Sequence, residues 1–91
     1  MKTYIISYDL NTPGKNYEDL LKKIKAYTSW AKLGGSAYII VTERTAVEIR
    51  DNLKSSLDSN DKLFVGVLKA PAAWTSLSDE VSKWVINHVK E

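Results

Sequence analysis

The chain has 91 residues, which is enough for one domain and too few for two. Its content of 44% hydrophobic and 26% charged residues is typical of a globular protein and excludes a disordered one. The absence of cysteine excludes disulfides and thiolate metal sites. The net charge of +2 permits nucleic-acid binding but lacks the strong basic bias that often accompanies it.

The beginning of the chain lacks the features of a targeting segment. Polar residues follow Tyr4-Ile5-Ile6 as early as Ser7, so the apolar stretch of a signal peptide does not form. No apolar run approaches the roughly 20 residues that a membrane span requires. We therefore expect a soluble, cytoplasmic protein.

The first predicted elements are a strand and a helix. Tyr4 to Asp9 is rich in aromatic and β-branched residues and ends at the breaker cluster Asn11-Thr12-Pro13-Gly14. Asn16 can cap the helix that follows. Its apolar residues recur at helical spacing and predict one buried face: Leu20, Leu21, Ile24 and Tyr27.

A hairpin and a second helix come next. Candidate strands at 29–33 and 37–42 flank Gly34-Gly35, where positive φ values would allow a tight turn. Thr45 and Glu48 have the spacing of a capping box. The second helix then buries a stripe with one residue every four: Ile49, Leu53 and Leu57.

The last strand and a third helix complete the chain. The polar segment 58–61 ends the second helix, and 63–68 predicts a strand. After a loop over 70–74, Ser76 or Ser78 can cap a helix. The apolar face of that helix contains Leu77, Val81, Trp84, Val85 and Val89.

The order β, α, β, β, α, β, α predicts the fold class. Two strand-helix-strand units joined by a hairpin indicate an α+β protein with a ferredoxin-like βαββαβ antiparallel sheet and an additional C-terminal helix. We expect a single domain over 1–91, with its core in 1–69 and a helical extension over 76–91.

Both faces of the predicted sheet are apolar. Alternation along the strands at 37–42 and 63–68 places apolar residues on each side. The two crossover helices cover only one face, so the third helix, a partner subunit or both must cover the other. We favour a homodimer, with a monomer capped by its own third helix as the alternative.

Asp9 is the main candidate for chemistry. A carboxylate at the end of a strand is well placed to hold Mg²⁺, which takes one or two carboxylates together with water and phosphate oxygens. A two-fold axis would supply a second copy and a paired site. The alternative is that Asp9 caps the turn toward Asn11 and Thr12.

Other polar and aromatic residues have simpler interpretations. We interpret Asp58-Ser59-Asn60-Asp61 as a turn, since the spacing of a calcium loop is missing. His88 is the only histidine and is interpreted as structural, near the end of a helix.

Trp74 lies in a loop, where it can anchor the third helix or bind a partner. Four aromatic residues could form a base-stacking surface, although packing is their default role: Tyr4, Tyr8, Trp30 and Tyr38.

Two segments resemble a known family. The strand Tyr4-Ile5-Ile6-Ser7-Tyr8-Asp9-Leu10, ending in Tyr-Asp, is similar to the opening strand of the CRISPR-associated Cas2 family and its VapD-like relatives. The hairpin from Trp30 to Ile40, in which Ser36 precedes an apolar strand, is similar to the central hairpin of that family. The resemblance spans about residues 1–68.

The resemblance implies a ferredoxin-like homodimer in which Asp9 binds a metal near the two-fold axis. The implied activity is Mg²⁺-dependent phosphodiester cleavage, or DNA binding without cleavage. The chain departs from the family pattern at two points. Lys15 is the only basic residue soon after Asp9, and a helix replaces the expected C-terminal strand.

Three hypotheses for function follow. In the first, the protein is a nucleic-acid-associated nuclease or binder, with Asp9 as the catalytic metal ligand and Lys15, Lys32 and Arg44 contacting phosphates. In the second, it is a homodimeric, non-catalytic interaction module of a mobile element or defence system, with Trp74 in contact with a protein partner. In the third, it binds a small ligand at the dimer interface. The sequence does not separate an enzyme from a binding module.

Overall fold

The computed structural model describes all residues 1–91. Four strands and three helices alternate along the chain. In chain order they are β1 (Lys2–Asp9), α1 (Glu18–Lys25), β2 (Ser29–Gly34), β3 (Ala37–Thr42), α2 (Ala46–Lys54), β4 (Lys62–Val67) and α3 (Asp79–His88). None of the helices has the length and apolar character needed to cross a membrane.

The strands form one four-stranded antiparallel sheet in the order β2-β3-β1-β4. Tyr4 of the central strand β1 lies opposite Ile40 of β3 and Val67 of β4. The prediction of a small α+β protein with an antiparallel sheet and a third helix is therefore confirmed. Leu68 follows the last strand rather than belonging to it, although its N–H donates to the Thr3 carbonyl over 2.9 Å.

The helix starts follow from local hydrogen bonds. The predicted capping box is present, because the Glu48 N–H donates to Thr45 Oγ1 over 3.1 Å and the Thr45 N–H donates to Glu48 Oε1 over 3.0 Å. Of the two candidate caps for α3, Ser78 accepts from the Val81 N–H. The prediction that Asn16 caps α1 is wrong, since Tyr17 occupies the N-cap position; Asn16 Oδ1 accepts instead from the N–H of Glu18, the first residue of the helix.

The main core lies between the sheet and the two crossover helices. Alternate residues of β1 and β3 point toward α1 and α2, as the strand pattern predicts. The buried members of this core are Tyr4, Ile6, Tyr8, Leu20, Ile24, Tyr38, Ile40, Ile49 and Leu53. Leu63 and Val65 of β4 pack against them.

Helix α3 covers part of the opposite face of the sheet. Ile39 of β3 is buried against Val85 and Val89, and Trp84 packs beside them. Thr3 Oγ1 donates to the His88 carbonyl over 2.7 Å, which ties the end of α3 to β1. The third helix of the chain therefore covers the second face in part, as the monomer alternative requires. The homodimer stays a prediction.

The hairpin between β2 and β3 closes differently from the prediction. Gly34 and Gly35 were expected to need positive φ values, but neither has one. The turn instead follows a register shift between Lys32 and Gly34. Gly14, in the loop after β1, is the glycine that adopts a positive φ, at 76°. Only there does the backbone require glycine for its conformation.

Candidate nucleic-acid interface

Asp9 lies at the end of β1 on the face that α3 partly covers, because Tyr8 before it points into the main core. Its side chain is exposed and has no hydrogen bond or ion pair, even though Lys62 lies opposite it in the sheet. The alternative that its carboxylate caps the following turn is wrong, since Asn11 bonds only its backbone carbonyl. The carboxylate is free to bind a ligand.

The loop after β1 is held by Asp61, which we predicted only to be part of a turn. Its carboxylate accepts the Asn11 N–H over 2.8 Å, the Asp58 N–H over 2.9 Å, and the hydroxyls of Tyr17 and Thr12 over 2.7 and 3.4 Å. Desolvation raises the pKa of Asp61, but these donors outweigh it and lower the pKa to about 2. Asp61 therefore takes the capping role that we considered for Asp9.

The position of Asp9 meets part of what a magnesium site requires. It supplies one carboxylate, and no group of three or more His, Cys, Asp or Glu side chains is placed to hold a metal. Mg²⁺ commonly takes one or two protein carboxylates and completes its shell with water and substrate phosphates. Asp9 could therefore hold such an ion against a phosphate, and this would supply Lewis-acid assistance to phosphodiester cleavage.

Two of the predicted phosphate contacts already have partners within the chain. Lys15 Nζ lies 3.1 Å from an oxygen of Asp58, and its ammonium is 5.3 Å from the centre of the Tyr17 ring. Arg44 pairs with Glu48 across one helical turn at 3.3 Å. Arg44 follows β3 and so lies at the end of the sheet opposite to Asp9. The structure therefore does not gather Lys15, Lys32 and Arg44 into one surface around Asp9.

The aromatic residues divide into a buried set and one exposed ring. Tyr4, Tyr8 and Tyr38 belong to the main core, so packing is their role, as the default interpretation holds. Burial and the neighbouring Tyr38 hydroxyl raise the pKa of Tyr8. Trp30 is different, because 39% of its surface remains exposed. It is the one member of the proposed stacking surface that a base can reach.

Trp30 lies within a small basic surface at the outer edge of the sheet. Lys32 is two residues further along β2 and points to the same side. Helix α1 lies beside this strand and places Lys25 Nζ 5.1 Å from the centre of the Trp30 ring. Lys22 is one turn before Lys25. We call these four residues, Lys22, Lys25, Trp30 and Lys32, the β2–α1 patch.

The lysines of the β2–α1 patch are exposed, and none forms a salt bridge. Lys23, their neighbour on α1, is engaged instead. It lies 3.3 Å from Asp19 and donates to Ser55 over 2.6 Å. The hydrogen bond from Ser56, together with Lys23, lowers the pKa of Asp19. The three lysines of α1 are thus one structural residue, Lys23, and two unpaired ones, Lys22 and Lys25.

Trp74 bonds to α3, and His88 is the last residue of that helix. Trp74 Nε1 donates to Ser82 Oγ over 3.1 Å, so this side chain anchors the loop to α3 while 41% of its surface stays exposed. The His88 ring stacks on Trp84 at 4.2 Å, and its Nδ1 lies 2.8 Å from the Trp84 carbonyl. These contacts support a structural interpretation of His88. Binding of a partner by Trp74 stays a prediction.

Comparison with known proteins gives no family for this chain. No family model, curated protein or solved structure matches it. The functional argument therefore depends on the geometry of the chain itself.

Proposed function

We propose that this protein binds single-stranded nucleic acid through the β2–α1 patch. The observation that carries this proposal is an exposed tryptophan surrounded by unpaired lysines. Trp30 is 39% exposed, and Lys25 lies over its ring without any carboxylate partner. Aromatic platforms beside cationic side chains are the usual means of binding single strands without sequence preference.

Each residue of the β2–α1 patch has a distinct task in this proposal. A base stacks on Trp30 and displaces the Lys25 ammonium from the ring. The displaced ammonium then pairs with the adjacent phosphate. Lys22 of α1 and Lys32 of β2 contact the neighbouring phosphates. The stacking requires an unpaired base, because the faces of bases in a duplex are already covered.

The topology supports a finer assignment of the fold. We propose that the domain is ferredoxin-like, since the order β2-β3-β1-β4 and the two strand-helix-strand crossovers are those of a split βαβ unit. A nucleic-acid role also agrees with the similarity of the 4–10 strand and the 30–40 hairpin to the Cas2 family. The β2–α1 patch lies on that hairpin and on the helix beside it.

Replacing Trp30 by alanine is expected to weaken binding of a labelled single-stranded oligonucleotide by about 5- to 150-fold, the range for loss of one base-stacking contact. Fluorescence anisotropy at low salt measures this affinity for both RNA and DNA. Trp74→Ala is the matched control. Trp74 is similarly exposed, at 41%, but it is bonded to α3, which packs on the face of the sheet opposite to Trp30.

We expect Trp74→Ala to bind as tightly as the unaltered protein. Equal losses in the two variants would show that no specific stacking site exists at Trp30. Lack of binding by the unaltered protein at low salt, where phosphate contacts are strongest, would refute the nucleic-acid proposal as a whole.

Catalysis at Asp9 is a separate proposal with its own test. We propose that Asp9 holds Mg²⁺ against a phosphate of a bound strand. Asp9→Ala is then expected to abolish Mg²⁺-dependent cleavage of labelled RNA or DNA. The affinity measured in EDTA is expected to stay unchanged, because without the metal the strand is bound by the β2–α1 patch on the opposite face of the sheet. Gel analysis with and without EDTA measures cleavage. Undiminished cleavage by Asp9→Ala would exclude Asp9 as the metal ligand.

A further inference from the structure

Strand β4 is an edge strand with an unused row of backbone groups. It pairs with β1 on one side only. The Leu68 N–H bonds to the Thr3 carbonyl, and hydrogen-bonded positions alternate along an antiparallel pair, so Phe64 and Gly66 bond toward β1. The backbone N–H and C=O groups of Leu63, Val65 and Val67 therefore point outward. No hydrogen bond from a loop reaches them.

The two edges of the sheet differ in their protection. Proteins usually block an edge strand with lysine, proline or a bulge. Strand β2 has such protection, since it carries the exposed Lys32 and an irregular register between Lys32 and Gly34. Strand β4 has one lysine, Lys62 at its first position, and no charge or proline from Leu63 to Val67. It instead exposes 65% of Phe64 and 46% of Val67.

We propose that a second copy of this chain pairs with β4 in an antiparallel arrangement, with the two-fold axis at Val65. The outward N–H of Val65 then donates to the Val65 carbonyl of the second copy, and the reverse bond also forms. Leu63 and Val67 of opposite copies make the flanking pairs of hydrogen bonds. Every outward group of β4 between Leu63 and Val67 gains a partner.

The side chains of β4 are complementary to themselves in this register. Phe64 lies opposite Gly66 of the second copy, on the face that α3 covers incompletely. Within one chain the Phe64 ring already leans over Gly66, where an added Cβ would lie 2.9 Å from Phe64 Cε1. The small residue leaves space for both rings, as in aromatic–glycine cross-strand pairs.

The charges flanking β4 also agree with this register. Counting outward from Val65 places Asp61 opposite Lys69 of the second copy at each end of the paired strands. Lys69 is exposed, and the low pKa of Asp61 means that its carboxylate is charged at neutral pH. Opposite charges therefore meet at both ends. The segment from Leu63 to Val67 between them is apolar, and Lys62 lies opposite Leu68 of the second copy.

The dimer joins the two sheets into one continuous sheet. The two β2 strands become its outer edges, roughly 34 Å apart at about 4.8 Å per strand spacing. The Asp9 residues of the two copies lie more than about 20 Å apart, so this dimer does not create the paired Asp9 site expected from the family resemblance. It also leaves the β2–α1 patches accessible, and its existence does not depend on nucleic-acid binding.

Sedimentation velocity over a range of protein concentrations tests the proposal. We expect the unaltered protein to be a dimer at the upper concentrations and Phe64→Lys to raise the dimer dissociation constant at least about 10-fold, since lysine at an edge opposes strand pairing. Val47→Lys is the matched control. Val47 is similarly exposed, at 56%, but lies at the start of α2 outside the proposed interface.

Amide hydrogen exchange measures directly whether the proposed hydrogen bonds between the two β4 strands form. The amides of Leu63, Val65 and Val67 are expected to exchange slowly only at concentrations at which the dimer forms, because they lack partners in the single chain. A monomer at every concentration would overturn the proposal. Dimers of Phe64→Lys as stable as those of Val47→Lys, or fast exchange at these amides within the dimer, would overturn it as well.

Discussion

Replacing Leu53 by alanine is expected to lower the free energy of unfolding by about 2–5 kcal/mol, the usual cost of removing a large aliphatic side chain from a core. Leu53 has no exposed surface and lies in the main core with Ile49 on α2. A small domain has a total stability of only about 5–15 kcal/mol, so this single change removes a large share of it.

The magnitude follows from the position of Leu53 between α2 and the sheet. The alanine variant loses the transfer free energy of the removed methyl groups and also leaves a cavity that surrounding side chains fill only in part. Helix α2 connects β3 to β4, so a loosened α2 also weakens the packing of Leu63 and Val65 on β4. Both effects lower the free energy of unfolding.

Urea denaturation followed by circular dichroism measures this change. Val47→Ala is the control, since Val47 lies on the same helix but is 56% exposed. Its unfolding free energy is expected to change by less than about 0.5 kcal/mol. A cost below about 1 kcal/mol for Leu53→Ala would contradict the assignment of Leu53 to the main core.

Replacing Asp61 by asparagine is expected to lower the Tm at neutral pH by at least about 4 °C. The carboxylate accepts hydrogen bonds from the loop after β1 and from Asp58 and Tyr17. Asparagine keeps one acceptor oxygen but presents an amide N–H group where Asp61 has its second oxygen. At least one of the surrounding donors then loses its acceptor.

The pH dependence supplies a second test of Asp61. Its pKa falls from 3.8 to about 2 on folding. A lowered pKa means that the carboxylate stabilises the fold above about pH 4, and that this contribution is lost as the pH falls from about 4 toward 2. Asp61→Asn is therefore expected to show a flatter decline in Tm across this interval.

Thermal unfolding at several pH values measures both effects. Asp51→Asn is the control, because Asp51 is exposed and pairs only with its neighbour Arg50. It should resemble the unaltered protein, since surface ion pairs contribute little. If Asp61→Asn retained the full acid dependence, another carboxylate would have to be responsible for it.

Local sequence patterns were sufficient to predict most of the helices and strands. Alternation in 37–42 and the four-residue spacing of Ile49 and Leu53 arise from the geometry of strands and helices, which depends on the residues within each element. The capping box at Thr45 and Glu48 is equally local. For the same reason, the strands, the helices and the apolar character of both sheet faces could be predicted from the sequence.

The tertiary structure decided which side chains are free to act. Asp9 and Asp61 are both aspartates in turn-forming segments, and only the pairing of β1 with β4 brings Asp61 to the loop that Asp9 was considered to cap. Lys25 and Lys23 belong to one lysine cluster, yet Lys23 meets Asp19 and Ser55 while Lys25 meets Trp30. The Asp19–Lys23 pair is local, since the two residues are one helical turn apart, but Ser55 and Trp30 lie in other elements. The exposed Trp30 with its unpaired lysines is therefore identified only from the packing of α1 beside β2.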